Sequence, residues 1–370
     1  MITKLCALQL VSECNETGRD ATMSVAMKQK GENALTWFRD MWVSKPLFST
    51  GAALLVMIVL QTIALGFNFG SIGAWFQTWS QNWINILRNN SAIGIIALGM
   101  TLVIISGGID LSVGSTLVAI GAALMMLIDT GPKGLLLNLG ITGVPAYIIA
   151  IVAAAVIGLA LGELTGLLIT KGKLPPFIAT LGTMKIFRSV TQQFMTGYNP
   201  VVPTPFLKIA SLEIGGQLIM PILYWIVFAL ILYIVSTRTK FGRQVIAVGS
   251  NERATKLSGV NVDQIKRRIY AIMGVLVSLA AILQVARIGA MDYANAGSGY
   301  EMDAISAVIV GGTRMSGGKG TILGTVLGTL IIAVMNNLLN LLGVPPFLRE
   351  AFKGVIVIGA VLLQKKETVA

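Results

Sequence analysis

Long apolar runs dominate the chain, interrupted by glycines, prolines and small polar clusters. A membrane-spanning helix needs about 20 mostly apolar residues, and shorter runs cross when other helices bury them. Ten segments meet that description: about 48–67, 85–106, 112–129, 145–169, 176–195, 218–237, 269–288, 302–313, 321–342 and 350–364. Two are irregular, since 176–195 carries Lys185 and Arg188 and 302–313 is short. The pattern predicts an all-α fold, a polytopic membrane bundle of about ten transmembrane helices.

Composition supports this reading. Of 370 residues, 55% are hydrophobic and 12% charged, where a soluble domain is nearer a quarter charged. Residues 1–45 read as a cytoplasmic N-terminal tail, 46–366 as the transmembrane domain, and 367–370 as a C-terminal tail. The net charge of +12 argues for orientation and contact with anionic membrane lipid, and no nucleic-acid partner is expected. With the N-terminus inside, Lys171, Lys173, the 238–268 segment, Arg314, Lys319, Lys365 and Lys366 all fall inside. The outside segments 68–84, 130–144, 196–217, 289–301 and 343–349 are lean in Lys and Arg, as the positive-inside rule asks.

The 238–268 segment is the most informative loop. It holds eight basic residues, Arg238, Lys240, Arg243, Arg253, Lys256, Lys266, Arg267 and Arg268, against Glu252 and Asp263. Its centre reads as a short helix between Gly249 and Gly259, which suggests a docking site for something soluble.

Two glycine motifs echo one another. Gly107 to Gly114 and Gly311 to Gly318 share Gly-Gly-x-x-Leu/Met-Ser-x-Gly, each between apolar runs. They predict an internal repeat with helices interrupted at Gly107-Gly108 and Gly311-Gly312. Transporters place such breaks beside the substrate path, where freed backbone groups meet a polar ligand. Gly158-x3-Gly162-x3-Gly166 and Gly320-x3-Gly324-x3-Gly328 predict close helix packing.

Catalytic signatures are absent. There is no histidine, and the two cysteines, Cys6 and Cys14, lie in the tail. This argues against a zinc, haem or iron–sulfur site, and neither a metal nor a cofactor is expected. No phosphate-binding loop is formed, because Gly318-Lys319-Gly320 lacks the hydroxyl that holds magnesium. The chain therefore reads as a non-enzyme. Polar groups within spans require a reason. Asp110 serves either as a helix cap or in a translocation path with Ser112. Asn336, Asn337 and Asn340 form a polar stripe that either lines the path or bonds neighbouring helices. Tyr300, Glu301 and Asp303 open a span near the outside. Glu163 and Lys185 are expected to form a structural ion pair.

Several separated stretches resemble the ABC-type monosaccharide permeases of the ribose/xylose/galactose group. They are Ala97–Ser115, Pro176–Leu181, Ala247–Val262, Gly297–Ala304 running on to Gly311–Thr313, Gly317–Gly320 and Asn336–Gly343. The resemblance covers about 85–366, and the tail before Lys45 is longer than the family usually shows. It implies import of a monosaccharide, ribose or a similar sugar, delivered by an external sugar-binding protein. It also implies a separate ATP-binding subunit, a second permease copy and a multi-pass place in the bacterial plasma membrane. Under it, Gly249, Asn251, Glu252, Ala254, Leu257 and Gly259 belong to a helix that couples the permease to the ATPase. An ion-coupled secondary transporter of a small polar solute, with Asp110 and Glu163 as ion sites, is the alternative.

Overall fold

The computed structural model describes residues 46–66, 70–213 and 217–369. The expected tail 1–45, with Cys6 and Cys14, lies outside the described residues, as do the side chains of Lys365 and Lys366. Residues 1–49 and 50–370 form separate compact units, and only the opening turn of the first helix is described in the former. The elements are all helical: α1 (Pro46–Leu65), α2 (Ile72–Ile105), α3 (Val113–Ile128), α4 (Leu135–Asn138), α5 (Gly143–Thr170), α6 (Pro176–Met195), α7 (Thr204–Ser211), α8 (Met220–Arg238), α9 (Lys240–Ser250), α10 (Glu252–Leu257), α11 (Val262–Ile288), α12 (Tyr300–Val310), α13 (Ile322–Leu341) and α14 (Pro346–Val369).

Each of the ten expected spans contains a helix. Six of the described helices, α1, α2, α5, α8, α11 and α13, are long and apolar enough to cross a membrane unaided. The 16 residues of α3 and 11 of α12 reach only about 24 and about 16 Å, short of a hydrocarbon core of ~30 Å. Burial sorts the long helices into two groups. The most apolar windows of α2 and α11 are 78% buried, while those of α1, α5 and α8 are 11–22% buried. The outer helices turn Leu55, Val59, Val152, Val156, Ile226 and Leu230 outward, a surface suited to lipid tails rather than water.

The expected segment 85–106 begins earlier than its hydropathy suggests. Ser71 caps the helix, its Oγ accepting from the Ala74 N–H at 3.2 Å, and α2 then runs for 34 residues. Its first turns are held by aromatic rings rather than an apolar stripe. Trp75 Nε1 donates to the Gly66 carbonyl at 3.0 Å and Trp79 Nε1 to Thr62 Oγ1 at 3.1 Å. The rings of Trp75, Trp79 and Trp83 follow one another at centroid spacings of 6.4 and 5.9 Å.

The first glycine stripe packs as expected, and the second does so from Gly324 on, since Gly320 precedes the helix. Gly158, Gly162 and Gly166 of α5 run antiparallel to Gly274, Tyr270 and Arg267 of α11. A Cβ on Gly158 or Gly162 collides with the carbonyl of Gly274 or Tyr270, so the two backbones touch directly. In the same way Gly324 and Gly328 of α13 lie against the backbones of Gly311 and Ala307. Without hydrophobic drive between helices in lipid, such close approach is the main source of packing energy.

The expected Glu163–Lys185 pair is not formed. Glu163 Oε1 instead accepts from Arg267 Nε at 2.6 Å and from Arg267 Nη2, joining α5 to α11, while Lys185 is exposed. The α5–α11 glycine contact brings Arg267 within reach of Glu163, and spacing along the chain carries no sign of that.

At the end of α3, Asp129 ties down the connection between α6 and α7. Its Oδ2 accepts from the Tyr198 hydroxyl at 2.7 Å, and its Oδ1 from the N–H groups of Val201 and Gly131 at 2.8 and 2.9 Å. Burial opposes ionisation, but these three donors outweigh it and hold the carboxyl below its ordinary value of 3.8. The same bond and burial raise the Tyr198 hydroxyl.

Three outcomes follow from this packing. Gly162→Ala should lower stability by about 1–3 kcal/mol through overpacking, whereas Gly182→Ala, with nothing within 4 Å, should be neutral in thermal melts of the detergent-solubilised protein. Single charge reversal at Glu163 or Arg267 should cost on the order of 1 kcal/mol at this half-exposed pair, and the double reversal should recover it; Lys185→Glu should change nothing. A depressed carboxyl stabilises while ionised. The hydrogen-exchange protection factor of the Val201 amide should therefore stay high above about pH 4 and fall as pH drops below the ordinary value of 3.8, a dependence that Asp129→Asn removes.

Candidate functional site

The basic loop is built by three successive caps. Thr239 Oγ1 accepts from the Gly242 N–H at 3.2 Å and starts α9. Asn251 Oδ1 accepts from the Ala254 N–H at 3.0 Å and starts α10. Asn261 Oδ1 accepts from the Gln264 N–H at 3.0 Å and starts α11. The short helix expected between Gly249 and Gly259 is narrower, Glu252–Leu257. Gly249 does not break a helix but lies in the last turn of α9, because the extended Asn251, at φ −159°, makes the break instead. Gly259, at φ +83°, closes the other end. Lys266 Nζ binds Glu252 Oε2 at 2.8 Å, pinning α10 to α11. Ala254 lies within α10, and Leu257 at its end is 89% exposed.

Gly249 is needed for another reason. A Cβ there collides with the Ile105 carbonyl and sits against the Gly318 N–H. Those two groups are themselves hydrogen-bonded at 2.8 Å. The end of α2, the turn after α12 and the end of α9 thus meet at one point, made almost wholly of backbone. Just inside it, Thr101 and Thr325 share a hydroxyl hydrogen bond of 2.6 Å between α2 and α13.

Both glycine motifs end a helix with the same closure. At the first, the N–H groups of Gly107 and Gly108 return to the carbonyls of Ile104 and Val103, with Gly107 at φ +82°. At the second, Gly312 and Thr313 return to Ile309 and Val308, with Gly312 at φ +86°. This is the double-bonded ending in which a left-handed residue satisfies the last free carbonyls. The structural echo is thus shifted by one residue from the sequence echo, with Gly107 matching Gly312 rather than Gly311. Counting letters does not reveal which glycine goes left-handed.

Beyond Gly108 the chain runs non-helical and buried to Ser112. The Ile109 carbonyl accepts from the Tyr270 hydroxyl at 3.3 Å and from Thr180 Oγ1 at 3.4 Å. Asp110, 4% exposed, turns Oδ1 back onto the N–H and hydroxyl of Ser112 at 2.9 and 2.6 Å. It caps the approach to α3 through Ser112, not through Leu111. The start of α3 then meets the start of α12, since Gly114 lies on the Gly297 backbone beside Glu301. Arg188 holds that connection, donating to the Ala296 carbonyl at 2.6 Å and to Tyr293 and Ala294 at 3.4 Å. Two short helices therefore turn their N-termini toward one another inside the bundle, the arrangement that broken helices use around a polar solute. The sequence marks Arg188 only as a charge within a span, and the carbonyls it holds are brought to it by the fold.

The asparagines lie elsewhere. Asn337 exchanges bonds with Asn82 at 3.3 and 3.4 Å, and its Oδ1 accepts from Gln61 Nε2 at 3.4 Å. Asn340 accepts from Arg349 at 3.2 Å. Asn82 precedes the Ile105 end of α2 by about 35 Å of helix, so the structure does not bring Asp110 and Ser112 together with Asn336, Asn337 and Asn340 in one site. Among the described residues, no cluster of His, Cys, Asp and Glu stands ready to hold a metal.

Residues 82–361 match the family described as branched-chain amino acid transport system / permease component. The chain is 41% identical over 322 residues to the ribose import permease protein RbsC of Escherichia coli K12, covering 85% of this chain and 92% of that protein. It is 41% identical to the RbsC of Bacillus subtilis, over 78% of this chain and 85% of that one. The D-allose transport system permease protein AlsC of Escherichia coli K12 is 33% identical, over 80% and 87%. No solved structure matches the chain significantly. With several span-length apolar helices packed in one bundle, this is a multi-pass membrane protein, and it belongs to the family of ABC-type monosaccharide import permeases.

Proposed function

We propose that the chain is the membrane-spanning subunit of an ATP-driven importer for a monosaccharide, ribose or a closely similar sugar. An external binding protein delivers the sugar, and a separate ATP-binding subunit supplies the energy. The chain itself is a conduit and not an enzyme. It works as one of two copies in the plasma membrane, surrounded by lipid. The names of the two RbsC relatives support the sugar and the import direction.

One observation carries the coupling. The basic loop is keyed by Gly249 onto the Ile105–Gly318 bond, where the end of α2 meets the turn that follows α12. It leaves Leu257 exposed at the end of α10. In this reading Gly249, Asn251, Glu252, Ala254, Leu257 and Gly259 form the lever. Leu257 seats in the ATP-binding subunit, Asn251 and Glu252 hold α10 to its neighbours, and Gly249 passes its movement to the breaks at Gly107-Gly108 and Gly311-Gly312. Asp110 and Ser112 follow the first break directly, and with Asn336, Asn337 and Asn340 they are the polar groups assigned to the path. An ion-coupled mechanism is not favoured, because Glu163 is committed to Arg267 and relatives at 41% identity are named ribose import permeases.

The test is affinity purification of the tagged chain from its own cells, with sugar uptake measured in vesicles. An ATP-binding subunit should co-purify, and uptake should require ATP and survive collapse of ion gradients. Burial of one leucine contributes about 1.5–3 kcal/mol, so Leu257→Asp should weaken recovery of that subunit at least about tenfold. Gly249→Ala should retain the subunit but lose uptake. Uptake driven by an ion gradient, with no ATP-binding subunit recovered, would refute the assignment.

A further inference from the structure

The seam between α1, the first half of α2 and α13 holds polar atoms that the fold leaves unused. Gln61 is 1% exposed, and its Oε1 has no hydrogen-bond partner among the described residues. Neither does Trp83 Nε1, nor Asn336 Oδ1. The three belong to one neighbourhood. Trp83 packs with Met57 against Ala333 and Val334. Gln61 stands one turn beyond Met57, and Asn336 one turn beyond Ala333, on the same faces. Gln61 also reaches Asn337, the neighbour of Asn336, through its Nε2 at 3.4 Å.

An interhelical polar cluster that serves only packing satisfies itself. At rest Asn82 and Asn337 are satisfied in that way, each donating to the other, whereas the three atoms above are not. Buried polar atoms without partners are rare in folded proteins, and an apolar residue of the same shape costs less at such a place. Two free acceptors, on Gln61 and Asn336, and one free donor, on Trp83, are the complement of a hydroxyl-rich solute, whose O–H groups donate and accept. The indole of Trp83 adds a flat apolar face of the kind that the C–H face of a pyranose or furanose ring can cover. The aromatic series Trp75, Trp79, Trp83 leads to this place along α2.

We propose that Gln61, Trp83 and Asn336 form a transient monosaccharide subsite on the translocation route. When the seam loosens during the cycle, sugar hydroxyls take the three open hydrogen-bond positions. The inference rests on the import reading above, and it adds Gln61 and Trp83 to the residues that touch the solute. It differs from a packing role in one respect: the groups stay unbonded at rest so that a passing solute can meet them.

The test uses the complete importer in proteoliposomes, with saturating ribose-loaded binding protein, and reads sugar moved per ATP hydrolysed. Gln61→Met and Asn336→Leu keep volume and remove the open acceptors. Each should lower sugar moved per ATP about tenfold, the effect of one lost hydrogen bond in a rate-limiting passage. Asn336→Leu should leave the melting temperature of the purified chain unchanged or raised, since an orphaned polar atom is gone, whereas Gln61→Met also gives up the Nε2 bond to Asn337 and should lower it slightly. Unchanged sugar per ATP in both variants overturns the proposal. So does a lowered melting temperature or failure to assemble in both, which would make the cluster a packing element. If the unaltered importer moves no sugar with ATP, the import reading fails instead, and that arm is read first.

Discussion

Backbone N–H and C=O groups have no water to turn to inside a bilayer, and every interruption of a helix there must find its partners within the protein. This chain interrupts two helices and settles both at one place. The Ile105 carbonyl, freed where α2 ends, takes the Gly318 N–H, freed in the turn after α12. The left-handed glycines 107 and 312 return the remaining groups to their own helices. Tyr270 and Thr180 hydroxyls reach the Ile109 carbonyl, which lies in a largely buried stretch with no regular structure of its own. Removing any of these donors strands a polar group in an apolar interior, so the breaks hold their place as a set.

The same constraint explains why the basic loop touches the bundle as it does. Side chains between α9 and the breaks would hold the backbones apart and leave the Ile105–Gly318 bond open to disruption. Glycine at 249 lets α9 close over it. From there the chain passes through Asn251 into α10, and Glu252 and Lys266 bind that helix to the first turns of α11. The next residue, Arg267, binds Glu163 of α5, and α5 packs by its glycines on α11. A displacement of α10 therefore has two stiff routes into the bundle, one through backbone to the breaks and one through charge to the α5–α11 pair.

Much of this is written locally in the sequence. Apolar runs mark the ten helices that fall in the expected spans, because burial in lipid demands apolar side chains wherever a helix faces outward. The glycines at 158, 162 and 166 announced a tight contact, although their partner helix was not named. The breaks at Gly107-Gly108 and Gly311-Gly312 were visible as paired glycines between apolar runs. What stayed hidden depends on distant parts of the chain. Glu163 found Arg267, not Lys185, because that choice follows from which helix α5 packs upon. The start of α2 was read too late, since Trp75 and Trp79 stabilise their turns by reaching back to α1 rather than by hydropathy. Asn337 proved to be bonded across helices to Asn82 and Gln61, and no spacing within α13 foretells that.

The contact at Gly249 contains no side-chain chemistry of its own. Every amino acid has the same backbone, so a joint formed of carbonyls and amides carries no information about which solute passes or which motor pulls. In the proposed reading, the residues assigned to the solute and those assigned to the ATP-binding subunit lie on either side of it. Each set is free to diverge under its own selection, so long as the hinge between them keeps its glycine. Such a joint behaves as an adaptor, and a lineage of transporters can exchange cargo without redesigning its drive.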